Sequence, residues 1–271
     1  MSFRVVDADD GVPIAVRDVG TGAPVLMIHG WGLSSEVWDR QIHTLLRSGR
    51  RVLAMDLRGH GDSDAPYGDY GIDRLAGDAA SVLAGVGQEV DVVGWSIGGL
   101  VGVRLADRHP DLVGRLVLVA SQGVAGARHE SFPFGVPAGS IQDRLVQAER
   151  ADRVRHRRRT VLSQFATPPD PATADWLHRI CLRLPSWAGD AAMATLLETE
   201  QVHLGDQVAA RIPVTQIIGT KDPVLDLDGA RWLHQRWSTR LVELDCGHYP
   251  MLELPDEFDR ELLAALAPDV S

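Results

Sequence analysis

DVVGWSIGGLVG, residues 91–102, decides how this chain is read. Apolar Val92 and Val93 lead into Gly94-Trp95-Ser96-Ile97-Gly98, and a helical pattern, IGGLVGVRLADRHP, leads out until Pro110 stops it. A strand that turns at once into a helix bends its backbone sharply, and only small residues fit two positions before and two after the bend. Gly94 and Gly98 stand at those positions, while Gly99 and Gly102 would let the helix pack close to a sheet. The bend itself holds a serine, projected away from the sheet at a helix start with free N–H groups and the positive end of the dipole. A glycine-rich helix cap containing a serine has the same G-x-S-x-G pattern. The buried strand before it and the apolar helix after it favour a nucleophile.

Outward from this bend the chain alternates between two periods. Towards the N-terminus, Val12, Ile14 and Val16 alternate after the turn-like DADDG, as in an N-terminal hairpin. PVLMIHG (24–30) and RRVLAMD (50–56) read as buried strands on either side of a helix over 34–49, and a second helix spans 72–86. EVDVVGW (89–95) and GRLVLVAS (114–121) are further strands. This rhythm predicts an α/β chain with a mostly parallel sheet and helices on both faces. From about 122 to 210 the strands stop, and amphipathic stretches broken by FPFGVP, TPPDP and LPSW predict an inserted helical cap. The rhythm resumes with a strand at 213–222, a helix at 228–237, a strand at 239–245 and a last helix from Pro255 to Ala267. One domain over 1–271 carrying its cap is therefore expected.

Composition narrows the function. The 271 residues are 45% hydrophobic and 24% charged, a globular balance, and a net charge of −10 argues against nucleic acid as a partner. No apolar run approaches the roughly 18 residues that cross a bilayer. MSFRVVDADDGVP meets Asp7, Asp9 and Asp10 without an apolar signal region, so a cytoplasmic location is expected. Cys181 and Cys246 imply no disulfide framework and read as inert thiols. There is no H-E-x-x-H, no zinc-like Cys–His spacing and no phosphate loop, Gly20-Thr21-Gly22 being too early and isolated. No metal or organic cofactor is expected.

A serine hydroxyl has too high a pKa to attack unaided, so a base must take its proton and a third group must orient that base. In a parallel sheet entered through such a bend, the acid and then the histidine follow later strands. Asp222 follows the strand in IIGTKDPV, whereas Ala120, Ser121 and Gln122, after the strand ending near Val119, offer no acid. Asp226 and Asp228 resemble helix-start residues. His248 follows the last strand in LVELDCGHYP. His29 and His60 border glycine-rich loops and read as hydrogen-bonding scaffold. His43, His109, His178 and His234 sit on helical patterns, and His156 lies in an arginine cluster. Oxyanion donors are expected from the backbone N–H of Ile97 and, in HGWG (29–32), that of Trp31. Leu33 and Trp95 are candidates for contact with the substrate tail, and a packing role fits their apolar side chains equally.

HGWG, DLRGHGDSD, GWSIGG, GTKDPV and CGHYPMLELPDEF, in that order over nearly the whole chain, resemble the α/β-hydrolase superfamily. That resemblance implies the α/β-hydrolase fold and an esterase activity. Serine at the nucleophile position departs from haloalkane dehalogenases and epoxide hydrolases, which carry aspartate there. HGWGLSSEVW and GWSIGGLVG look most like the pimeloyl-carrier-protein methyl ester esterases, with non-haem haloperoxidase-like esterases as the rival. The resemblance implies a small acyl ester as substrate and cap arginines that grip an acyl carrier protein. RLVQAERADRVRHRRR (144–159) holds seven arginines against Glu149 and Asp152, a local charge of +5. A solvated helix face explains that cluster equally well. Perhydrolysis, lactone opening and carbon–carbon cleavage would use the same three residues, and a non-catalytic receptor would leave them idle.

Overall fold

A computed structural model describes residues 4–267. The strands are β1 (Arg4–Asp7), β2 (Pro13–Val19), β3 (Pro24–Ile28), β4 (Arg51–Met55), β5 (Val90–Trp95), β6 (Val113–Val119), β7 (Val214–Gly219) and β8 (Arg240–Leu244). They form one sheet in the order β1-β2-β4-β3-β5-β6-β7-β8. The pairs β1/β2 and β2/β4 are antiparallel and all others parallel. The mostly parallel α/β sheet expected from the sequence is therefore present.

The helices are α1 (Asp39–Arg47), α2 (Ile72–Leu83), α3 (Ile97–Arg108), α4 (Ala138–Leu162), α5 (Pro171–Arg183), α6 (Ser186–Glu198), α7 (Val202–Ala209), α8 (Leu227–Trp237), α9 (Pro250–Glu253) and α10 (Pro255–Ala265). Every residue of β3, β5 and β7 is buried, as happens when helices cover both faces of a sheet. Successive side chains go to opposite sides. Leu26 and Ile28 join the apolar cluster that contains Leu75, Leu100 and Leu233 of α2, α3 and α8. Val25 and Met27 join the one that contains Ile42, Leu45 and Phe258 of α1 and α10. In that second cluster Trp38 meets Trp95 edge-on and stacks on Phe258, both at 6.4 Å between ring centroids. Losing so large a buried ring costs about 3–5 kcal/mol.

Several expected boundaries differ. The helix expected over 34–49 begins as a 3₁₀ turn, Ser35–Trp38, capped by the Ser34 hydroxyl, before α1 proper. The strand expected over 213–222 ends at Gly219, which frees Thr220–Asp222 as a loop. The helical stretch expected over 122–210 divides: α5 and α6 each pack on α4, whereas α7 packs on α3 and α8 in the sheet's own helical layer. Helix α4 is kinked at Asp152, whose φ of −160° and ψ of 86° are not helical. Among the described residues, no helix is long and apolar enough to cross a membrane.

Candidate active site

Ser96 sits between β5 and α3 with φ 55° and ψ −121°, a conformation that costs a non-glycine residue about 1–3 kcal/mol. The surroundings hold it there. A Cβ at Gly94 would collide with the carbonyl of Gly98, and one at Gly98 would stand 2.5 Å from the carbonyl oxygen of Ile28. The Ser96 N–H donates to Val119 O at 3.0 Å, and the Ser121 hydroxyl donates to Ser96 O at 2.7 Å. Ser121 was set aside in the sequence because it is not acidic. Its role is to satisfy the carbonyl at the bend, and nothing in the local pattern announces that.

Loop residue Asp222 directs its carboxylate at His248: Oδ2 and Nδ1 are 2.7 Å apart, with side-chain exposures of 1% and 3%. The other carboxylate oxygen accepts the N–H groups of Val224 and Leu225 at 2.8 and 3.2 Å. These amides fix the rotamer, so the carboxylate reaches the imidazole without rotational freedom. Asp226, four residues on, caps α8 by accepting from Asp228 and Gly229, and its second oxygen accepts from Gly135. Exposed Asp228 pairs with Arg231.

Ser96 and His248 line one cavity of about 770 Å³, within the range of small-molecule sites. Among the described residues no hydrogen bond joins the Ser96 hydroxyl to the imidazole; such bonds are often long before substrate is bound. Trp31 and Trp95 line the same cavity, together with Leu145, Met193, Leu196 and Leu197 from α4 and α6. Among the described residues, neither the Trp31 nor the Ile97 backbone N–H donates to a protein acceptor. Trp31 is held by its indole N–H on Gly189 O at 2.9 Å and by the Arg157 guanidinium 5.2 Å from its ring centre.

Leu33 departs from expectation: it is 1% exposed, packs in the apolar cluster with Val37 and Trp38, and is not among the cavity's lining residues. Its N–H closes a turn onto Gly30 O at 3.3 Å, and Gly32, with φ 77°, redirects the chain there. Trp95 has two duties, lining the cavity and donating its indole N–H to His248 O at 2.9 Å.

Of the other histidines, His29 accepts the Leu57 N–H at 3.0 Å and also bonds Gly30 O. Burial lowers its pKa to about 4, and burial plus the neighbouring His29 lower that of His60 to about 3. His156 is buried, its Nδ1 has no partner, and it lines the cavity. Cys181 and Cys246 are buried, and burial pushes the Cys246 thiol up to about 12, so it stays protonated at neutral pH. Among the described residues no cluster of three His, Cys, Asp or Glu side chains could hold a metal.

The arginine cluster is less free than its composition suggests. Buried Arg157 forks onto Glu149 and donates to Cys181 O, and Arg153 donates to Leu182 O and Leu184 O. Arg155 pairs with Asp152 and Arg158 with Asp175. Arg144, Arg150 and Arg159 are exposed, and Arg144 and Arg159 line the cavity.

A profile of the alpha/beta hydrolase family matches residues 25–261. The pimeloyl-[acyl-carrier protein] methyl ester esterase of Neisseria meningitidis serogroup A is 34% identical over 241 residues, 86% of this chain and 73% of that protein. A non-heme haloperoxidase of Rhodococcus erythropolis is 40% identical over 134 residues, 49% of each chain. The solved esterase of Exiguobacterium antarcticum shares the fold, with a TM-score of 0.93 over 98% of this chain and 100% of that one, at 24% identity. With the serine bend, the sheet order and the matched span in agreement, the chain belongs to the alpha/beta hydrolase family.

Proposed function

We propose that this protein is a serine esterase that cleaves a small carboxylic ester through Ser96, His248 and Asp222. The observation that carries the reading is one cavity reached by both a strained serine and an imidazole fixed at 2.7 Å by a buried carboxylate. His248 Nε2 takes the hydroxyl proton as Ser96 Oγ bonds to the acyl carbon. The developing oxyanion is met by the Trp31 and Ile97 amides, worth about 3–4 kcal/mol per donor in comparable sites. The C–O bond to the alcohol then breaks, and the alcohol leaves with the proton from Nε2. Water, deprotonated by the same nitrogen, releases the acid and restores Ser96. Relatives named as esterases support this reading. The apolar walls supplied by α4 and α6 favour an aliphatic or aromatic acyl group.

A carrier-bound acyl ester is a second reading, favoured by Arg144 and Arg159 at a cavity whose lining reaches the serine. A fluorophosphonate probe tests the nucleophile: labelling of the folded wild type, absent in Ser96→Ala, supports it, and an unlabelled wild type removes it. A panel of free and carrier-bound methyl esters tests the substrate. Equal rates on both, unmoved by replacing Arg144 and Arg159 with alanine, would discard the carrier.

A further inference from the structure

The loop that presents His248, residues 245–249, lies between the end of β8 and the start of α9, beyond the reach of the sheet's ladder. Its peptide groups must find acceptors elsewhere. Two of them share one carboxylate. Glu253 Oε1 accepts the N–H of Gly247 at 2.9 Å and that of Tyr249 at 3.3 Å, the peptide groups on either side of the histidine. Its Oε2 accepts the N–H of Ala166 at 2.9 Å, from the segment that follows α4. The histidine's own N–H donates to Gln164 O at 2.8 Å. There is no slack in this arrangement: a Cβ on Gly247 would stand 2.5 Å from both Ala166 N and Gln164 O. Phe165 stacks on Tyr249 with ring centres 4.3 Å apart and an angle of 17°.

We infer that Glu253 is the positioning residue for His248. It holds the backbone on both sides of the imidazole and ties that backbone to the 164–166 segment. Gln164 lines the cavity, whereas Glu253 is not among the lining residues. Glu253 therefore acts on the placing of the base and not on contact with substrate. The inference rests on the esterase reading for its kinetic consequence but not for its geometric one.

The test uses the full chain with Glu253→Gln and Glu253→Ala, assayed on 4-nitrophenyl butyrate. Melting temperature and far-ultraviolet circular dichroism establish the folded fraction. Glutamine keeps one acceptor and presents a donor to the remaining N–H groups, so kcat falls about tenfold; alanine removes both acceptor oxygens and all three hydrogen bonds, and kcat falls about 100-fold, the scale of a small misplacement. KM stays within about threefold, because ground-state contacts are untouched. The acidic limb of the kcat/KM profile moves to lower pH, because a displaced imidazole gives up part of its 2.7 Å contact with Asp222, which favours the imidazolium. Proton NMR reads the far-downfield Nδ1–H of His248, which shifts or broadens in both variants. Wild-type kcat with an unmoved resonance overturns the inference. So does a kcat that falls only in step with the folded fraction while the limb and resonance stay in place. If the wild type itself neither turns over the ester nor labels at Ser96, the esterase reading fails while the resonance still tests the positioning.

Discussion

The indole N–H of Trp95 donates to the carbonyl oxygen of His248 at 2.9 Å, across 153 residues of sequence. The residue before the candidate nucleophile is thereby fixed to the candidate base, and Gly30 lets the loop that carries Trp31 lie on the same ring, where a Cβ would come within 2.8 Å. Trp95→Phe keeps the ring packing and removes the donor, which orphans a buried carbonyl at a cost of about 1–3 kcal/mol. The variant is expected to melt a few degrees lower and to lose about tenfold in kcat, part of the 100-fold that a 1 Å misplacement costs. Calorimetry and steady-state kinetics check this; an unchanged kcat would show that the indole only fills space.

Backbone strain at Ser96 gives a prediction about stability alone. Glycine accepts φ 55° and ψ −121° without a Cβ penalty, whereas alanine keeps it. Ser96→Gly is expected to exceed Ser96→Ala by about 1 kcal/mol, the strain relieved less the entropy that glycine loses on folding. Urea melts of the two variants measure the difference, and an alanine variant equal or superior would place the strain elsewhere.

Acid sensitivity follows from His29 and His60. Their folded pKa values, about 4 and about 3, lie below the ordinary 6.5, mainly through burial. Between pH 6.5 and those values the unfolded chain binds protons that the folded chain refuses. The stability they confer is thus complete above pH 6.5 and is lost as pH falls towards 4, at about 1.4 kcal/mol per pH unit for each group. Equilibrium urea unfolding from pH 6.5 to 4.5 should show this slope, and His60→Leu should remove about half of it. A slope that His60→Leu leaves untouched contradicts the assignment.

The arginines of α4 separate into two kinds. Glu149 is buried beside Arg157; although burial opposes it, the guanidinium holds its carboxyl below the ordinary 4.5. Arg157→Ala leaves that buried carboxylate with only Arg153 Nε at 3.4 Å and the Ser186 hydroxyl at 3.1 Å, at about 3 kcal/mol. Replacing Arg144, Arg150 and Arg159 together by alanine should leave the melting temperature within about a degree, as for surface changes that touch no partner. If the triple variant unfolds as readily as Arg157→Ala, the division between structural and exposed arginines is wrong.

Which parts were legible in the sequence follows from where each constraint comes from. Ser96, Asp222 and His248 stand at strand ends beside glycine or proline, so local chain geometry marks them. The run of buried strands marked the sheet for the same reason. Leu33 could not be assigned because a single glycine, Gly32 with φ 77°, decides whether it faces cavity or core. Glu253 was invisible: one of its three partners, Ala166, lies 87 residues away, and a main-chain N–H has no residue type to read. The charge of residues 144–159 was countable, but the kink at Asp152 and the carbonyls of α5 that absorb Arg153 and Arg157 were not.

Strands β6 and β7 are direct parallel neighbours, yet the chain between Val119 and Val214 leaves the sheet and builds α4, α5 and α6 before returning. The two ends of that excursion are therefore held together by the sheet itself, and chain-closure entropy changes only slowly with the length between them. The roof over the serine can be exchanged without changing the strand pairing, but its buried Val161, Leu177 and Ile180 pack in one apolar cluster with Trp38 and Trp95. Any graft inherits three main-chain obligations: a carbonyl for the His248 N–H where Gln164 now supplies it, an amide for Glu253 where Ala166 now stands, and a carbonyl for the Trp31 indole where Gly189 now supplies it. The lining supplied by α4 and α6 can change in such an architecture while two main-chain contacts keep His248 in place.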